Sequence, residues 1–226
     1  DEVNHLVATT DGLGNVTRYV VDPAGNRIET IDANGHSTRY TYYADNRLQS
    51  ETNALWGQTY YSYNAMGSLA QTRDANGHTR INYYDANNRL STTIDASGAV
   101  TQNSYDQNGN VTQQIRYANR VTAPWFDGSV HHSSDVVPDV TADPDHDQVS
   151  SFTWDALNRQ TSSTNGEGGQ ISRQYDEVGN VVAMTDANGN TSHMAYDALN
   201  RLTSRTDALG NTTSYSYDAN GNAVAT

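Results

Sequence analysis

The side chains in this sequence that could do chemistry are mostly carboxylates, amides and phenols. The densest group is His131, His132, Asp135, Asp139, Asp143, Asp145, His146 and Asp147. Imidazole joined to carboxylate is a donor set that suits divalent metals. Its spacing matches no metal motif, however, and an acidic loop is sufficiently explained as a solvated one. The stretch Asp186-Ala187-Asn188-Gly189-Asn190 echoes the opening of a calcium loop, but no bidentate glutamate closes it. Glycoside hydrolysis needs two carboxylates at a set separation, one with a raised pKa. Acidic residues here recur in register along the chain, so no pair stands apart. There is no Gly-x-Ser-x-Gly elbow, no phosphate-binding glycine loop and no cysteine. The sequence therefore predicts no catalytic residue, no metal and no cofactor, and the question becomes what its regular spacing builds.

An aromatic residue or its stand-in recurs every 21 residues. The positions are Val21, Tyr42, Tyr63, Tyr84 and Tyr105, then Trp154, Tyr175, Tyr196 and Tyr217. A period of this length marks a repeat architecture, in which function resides in the surface or volume the array builds. Counting the aromatic as position 0, a turn signal follows at once, as in Asp85-Ala86-Asn87-Asn88. A second turn begins at Asp11, Asp32, Asn53, Asp74, Asp95, Asn165, Asp186 and Asp207, with glycine three residues later at Gly14, Gly35, Gly77, Gly98, Gly168, Gly189 and Gly210. Aspartate bonds its own backbone two residues on, and glycine supplies the left-handed conformation such turns need. Trp56 stands where the eighth glycine belongs, with Gly57 one place late, which predicts a slip at that turn.

Between the turns lie runs of about six residues rich in Thr, Ser, Val, Ile and Tyr, a strand composition. Position −2 is often apolar (Tyr40, Tyr61, Phe152, Met194, Tyr215) and position −1 small or polar, a period of two that predicts one buried sheet face carrying the tyrosines. Position +6 adds an aliphatic stripe at Leu48, Leu69, Leu90, Val111, Val181 and Leu202. Positions +4 and +5 alternate between Asn-Arg and Gly-Asn, a 42-residue superperiod. The four arginines, Arg47, Arg89, Arg159 and Arg201, either stack on tyrosine faces or stay solvated.

The predicted architecture is all-β: an array of 21-residue hairpins forming a spiralling antiparallel sheet, part of a shell or solenoid. Residues 1–116 and 150–226 read as repeats. Residues 117–149 read as a loop inserted in the array, since Tyr105 and Trp154 lie two periods plus seven residues apart. Neither end shows a polar cap, so the chain is expected to be a piece of a longer array or a subunit whose open sheet edges pair with copies of itself. The repeat-defining residues are Tyr42, Tyr63, Tyr84, Tyr105, Trp154, Tyr175, Tyr196 and Tyr217, with Gly35, Gly77, Gly98, Gly189 and Gly210.

Net charge is −13, from 13 basic and 26 acidic residues. Without a basic patch, nucleic acid is not an expected partner, and no apolar run is long enough for a membrane helix. Tyr-Asp-Ala-x-Asn-Arg-Leu (196–202), Tyr-Asp-x-x-Gly-Asn (105–110, 175–180, 217–222) and Asp-Ala-Asn-Gly (32–35, 74–77, 186–189) resemble the YD repeats of the RHS family. That resemblance implies a hollow β-shell. In bacterial polymorphic toxins and insecticidal toxin complexes the shell encloses a C-terminal toxin; in teneurins the related shell serves adhesion, and family members have also been described as carbohydrate-binding. It therefore implies a secreted or cell-surface protein, translocated by a bacterial secretion system. Expected partners are neighbouring repeats of the same or a longer chain, and an enclosed toxin domain. The alternatives are a glycan-binding or adhesion module, whose exposed tyrosines and amides suit sugar rings, or a self-assembling fibre subunit. The Asp-Pro-x-Gly-Leu segment that ends bacterial RHS cores is not found in this sequence, so self-cleavage carries over to no residue.

Overall fold

The computed structural model describes residues 5–122 and 138–225. All regular structure among them is β. The first strands are β1 (Ala8–Thr10), β2 (Val16–Val21), β3 (Arg27–Ile31), β4 (Ser37–Tyr42), β5 (Leu48–Thr52), β6 (Gln58–Tyr63), β7 (Leu69–Arg73), β8 (Thr79–Tyr84), β9 (Leu90–Ile94) and β10 (Ala99–Tyr105). They are followed by β11 (Val111–Arg120), β12 (Gln148–Trp154), β13 (Gln160–Thr164), β14 (Gln170–Tyr175), β15 (Val181–Thr185), β16 (Thr191–Tyr196), β17 (Leu202–Thr206) and β18 (Thr212–Ser214). These eighteen belong to one antiparallel sheet, and β19 (Ser216–Tyr217) with β20 (Ala223–Ala225) forms a short ribbon.

Two compact units are present among the described residues. One holds residues 5–101 with 119–122 and 138–141; the other holds 102–118 and 142–225. In the first, β1 to β9 pair in chain order. In the second, β11 to β18 do the same. Each strand thus bonds to its sequence neighbours, as short turns dictate.

The ladder departs from the sequence expectation at one recurring point. Tyr42 pairs with Leu48, but Thr41 pairs with Ser50, so Gln49 is left over. The same extra residue appears at Ser91 and Thr161, and at the corresponding place in the other hairpins that follow an aromatic position. Each return strand therefore carries a β-bulge at position +7. Around Trp56 the register does not slip. Asn53 N donates to Gly57 O (2.9 Å) and Trp56 N to Asn53 O (3.0 Å), the pattern of every glycine turn, because Trp56 itself takes the left-handed conformation at φ 64°.

The bulge also explains how an odd repeat fits a two-sided sheet. Crossing from Arg39 through Thr52 to Gln58 advances 19 residues, and so does Thr153 through Ser162 to Ser172. Equivalent residues are 21 apart, so each hairpin slides two residues along its predecessor, about 7 Å at the rise of a strand.

Paired residues share a face. Tyr42–Leu48, Tyr63–Leu69, Tyr84–Leu90, Tyr175–Val181 and Tyr196–Leu202 thus place the aromatic and aliphatic stripes opposite each other on one face. That face is only half-buried. The most covered strand residues lie on the other one: Ser50, Ser62, Gln71, Ile81, Tyr83, Thr92 and Ile94 in the first unit, Ser162 and Ala183 in the second. The expectation that the tyrosine face is the buried one is therefore corrected. A tall ring standing on the sheet keeps its outer part exposed, whereas small side chains between neighbouring strands are covered by them.

Candidate functional site: the hairpin turns and the aromatic position

Every turn between strands is built from the same five residues, whichever end of the hairpin it closes. In the loop from Asp22 to Asn26, Asp22 N donates to Asn26 O (2.9 Å) and Gly25 N to Asp22 O (3.0 Å). The Asp22 carboxylate accepts Ala24 N and Asn26 N on Oδ1 and the Asn26 amide on Oδ2. At the opposite end of a hairpin Asp186 makes the same three bonds to Asn188 N, Asn190 N and Asn190 Nδ2, at 2.9, 2.9 and 3.0 Å. This is a three-residue hairpin loop whose fourth residue lies in the left-handed region. Gly35, Gly77, Gly98, Gly189 and Gly210 hold that place with φ of 80–85°. Asn46, Asn88, Asn158 and Asn200 hold it where the sequence reads Asn-Arg. Asn is one of the few side chains at ease there.

These bonds determine the proton affinity of the turn carboxylates. The Asn26 side-chain amide holds Asp22 below its usual range, Asn190 does so for Asp186, and the Arg201 side chain for Asp197. Among the described residues, every carboxyl with a perturbed affinity is pushed down, and none is raised toward neutrality. The calcium-like stretch is thus an ordinary turn whose carboxylate is committed to its own loop. In the inserted segment, His146 Nδ1 lies 2.9 Å from Asp143 Oδ2, and Asp147 accepts Ala118 N and Asp143 N. Among the described residues no three His, Cys, Asp or Glu side chains gather as a metal site. His131, His132 and Asp135 lie outside the described residues.

The aromatic position has a role that the sequence pattern did not expose. Tyr42 donates its hydroxyl to Arg27 O, Tyr84 to Leu69 O, Tyr175 to Gln160 O, Tyr196 to Val181 O and Tyr217 to Leu202 O, at 2.8–3.1 Å. Each acceptor is position +6 of the preceding repeat, the carbonyl just before the bulge, where the ladder is interrupted. Trp154 does the same with its indole N–H, to Val111 O at 2.8 Å. Tyr63 lies edge-on to Tyr43, with centroids 6.2 Å apart, and Tyr105 closes β10. The available clue was Trp154: indole and phenol share a donor at the far end of the ring, which phenylalanine lacks.

The Asn-Arg and Gly-Asn turns link to one another in alternation. The guanidinium carbons of Arg47, Arg159 and Arg201 sit 4.9, 4.7 and 4.6 Å from the ring centres of Tyr63, Tyr175 and Tyr217, each in the next repeat. Asn26, Asn110 and Asn180 donate their amides to Asn46, Asn158 and Asn200. The stacked reading of the arginines therefore holds at these three, within the 42-residue superperiod.

The same contacts measure the insertion. Trp154 reaches back 43 residues where the tyrosines reach 15, and Asn110 reaches forward 48 where Asn26 and Asn180 reach 20. Both differences are 28. The interval from Tyr105 to Trp154 is thus one repeat carrying a 28-residue insertion between β11 and β12, not two periods plus seven.

A family described as RHS Repeat matches residues 84–122, 154–191, 175–212 and 196–226. The chain belongs to the RHS repeat family. RHS repeats pair an aromatic with a turn aspartate, and in this chain the same loop geometry also extends through the hairpins before residue 84. No curated protein matches the chain. Among solved structures, the RHS array is similar to TcdB2-TccC3 without its hypervariable C-terminal region, at 12% identity and TM-score 0.42, covering 93% of this chain and 16% of that one. It is also similar to the Photorhabdus luminescens Tc holotoxin pore carrying a TccC3 mutation, at 15% identity and TM-score 0.35, covering 99% and 16%. The chain spans about one sixth of the length of these proteins. No helix among the described residues is long and apolar enough to cross a membrane.

Proposed function

We propose that this RHS chain is a length of wall in a β-shell that encloses a C-terminal toxic domain and helps deliver it, in a protein exported by a bacterial secretion system. In this reading the repeats themselves are non-catalytic. The repeat-defining tyrosines and glycines are structural, residues 117–149 are an insertion in the wall, and the partners are further repeats of a longer chain and the enclosed domain. The observation that carries the reading is the commitment of the reactive side chains to the wall. Turn carboxylates are bonded within their own loops, and the aromatic hydroxyls bridge one hairpin to the next. A general acid needs a raised pKa, and the turn carboxyls are shifted the opposite way. A hairpin series with the same link at each step extends without altering any unit, which is what a wall requires.

The test is to express the RHS array with its native flanking sequence. Electron microscopy should show an enclosed cavity, and a domain following the array should resist protease until the wall is unfolded. An extended array with no cavity, its neighbouring domain cleaved at the rate of the free domain, defeats the proposal.

A further inference from the structure

The loop Asn53–Gly57 differs from its seven counterparts in a way that folding does not explain. Gly14, Gly35, Gly77, Gly98, Gly168, Gly189 and Gly210 fill the left-handed place elsewhere in this turn series; here it is Trp56, at φ 64°. A bulky side chain in that region is a genuine outlier, and such outliers concentrate at functional sites. The indole gains no burial in return, being 76% exposed. A residue that is strained and also exposed is contributing something other than stability.

The loop beneath it is braced. Asn53 Oδ1 accepts Leu55 N (3.0 Å) and Gly57 N (2.9 Å). Behind it the packing is tight: a Cβ at Gly57 would meet the Asn53 side chain at 2.9 Å and Ala75 Cβ at 3.0 Å. Beside the indole, the Arg39 guanidinium carbon lies 5.7 Å from the ring centre, and Glu29 steadies Arg39 through Nε at 3.0 Å. His36, Ser37, Arg39, Thr52 and Asn53 line a cleft of about 230 Å³ against Trp56. One flat apolar wall bordered by cationic and hydroxyl-bearing side chains is complementary to a ring with an apolar C–H face and a polar edge.

We propose that this cleft binds a saccharide, with one pyranose ring stacked on the Trp56 indole and its hydroxyls turned toward Arg39, His36 and Ser37. The occupant is a sugar and not a nucleic acid because the chain carries a net charge of −13, which repels a polyanion. The proposal narrows the saccharide-contact alternative to one cleft; it is independent of the shell reading.

The experiment follows the indole N–H resonance of Trp56, assigned by its loss in Trp56→Gly, with N,N′-diacetylchitobiose, methyl β-galactopyranoside and methyl α-mannopyranoside as probes. At ~10 mM sugar a site of millimolar Kd is mostly occupied. At least one sugar should shift this resonance and receive saturation transfer from it. Trp56→Gly should weaken that binding at least ~10-fold, while Trp56→Tyr, which keeps a ring, retains part of it. Trp56→Gly restores the residue of the other turns and so is expected to fold. Sugar binding that Trp56→Gly leaves unchanged overturns this cleft but leaves a saccharide surface elsewhere on the chain. No binding by any of the three sugars overturns both. A Trp56 shift produced only by an aromatic tripeptide, with none from the sugars, assigns the cleft to a peptide and also overturns the proposal.

Discussion

Tyr84→Phe removes one atom and tests the link between successive hairpins directly. The lost hydroxyl donates to Leu69 O at 2.8 Å, and the same carbonyl accepts Asn82 Nδ2 at 3.0 Å. A neutral hydrogen bond contributes about 0.5–1.5 kcal/mol net. With Asn82 still in place, Tyr84→Phe should fall in the lower half of that range, about 0.5–1 kcal/mol. Asn82→Ala should cost a similar amount, plus the weaker contact from Thr93 Oγ1 at 3.2 Å. The double variant strips the carbonyl of both donors beside a bulge and exposes the desolvation penalty of an unmade bond, about 1–3 kcal/mol. The two losses should therefore be more than additive, by 0.5 kcal/mol or more on a double-mutant cycle. Urea unfolding followed by circular dichroism resolves this, since at an m-value of about 2 kcal/mol/M a 1 kcal/mol loss moves the midpoint by about 0.5 M. A Tyr84→Phe midpoint indistinguishable from the parent, together with strict additivity in the double variant, would refute the idea that the aromatic position works through its donor.

The positive-φ places give a second prediction. Gly189→Ala, which has open space for its Cβ at φ 83°, should lose about 1–2 kcal/mol from backbone strain alone, while Trp56→Gly should gain up to about 1 kcal/mol, both read as midpoint shifts. Arg201→Ala removes the cation over Tyr217 and the 2.7 Å pair with Asp197, and should lose about 0.5–1 kcal/mol, with the ion-pair part fading in high salt. For pH, Asp22, Asp186 and Asp197 bind protons less readily folded than unfolded, so their contribution is complete above the usual 3.8 and is lost as pH falls through the depressed folded values. Stability should thus be level near neutrality and decline steeply below about pH 4, and Asp186→Asn should make the acid limb shallower in a pH titration of the urea midpoint.

The sequence made the hairpins legible because both turns announce themselves with Asp and Gly, and because the strands between them are too short for any helix of useful length. The Asn-Arg and Gly-Asn alternation was equally visible, and the stacked arginines follow from it. The bulge was not, since the residues at +7, among them Gln49, Ser91 and Thr161, share no side-chain type; a bulge is a backbone event, and only an odd period hinted at it. The buried face was misjudged because hydrophobicity marks the tyrosines and leucines, whereas coverage by neighbours protects Ser50, Ser62 and Thr92. Trp56 was read as a slip because a tryptophan at positive φ is improbable from sequence alone.

The 28 extra residues between β11 and β12 show that this fold can be spliced. Contacts on both sides of the insertion, the Trp154 to Val111 bond and the Asn110 to Asn158 bond, close as if nothing intervened. Doubling the length of such an excursion adds only about 0.6 kcal/mol of closure entropy. That junction is therefore a natural grafting point, where an epitope, a protease site or a reporter peptide could be carried without disturbing the repeats before or after it.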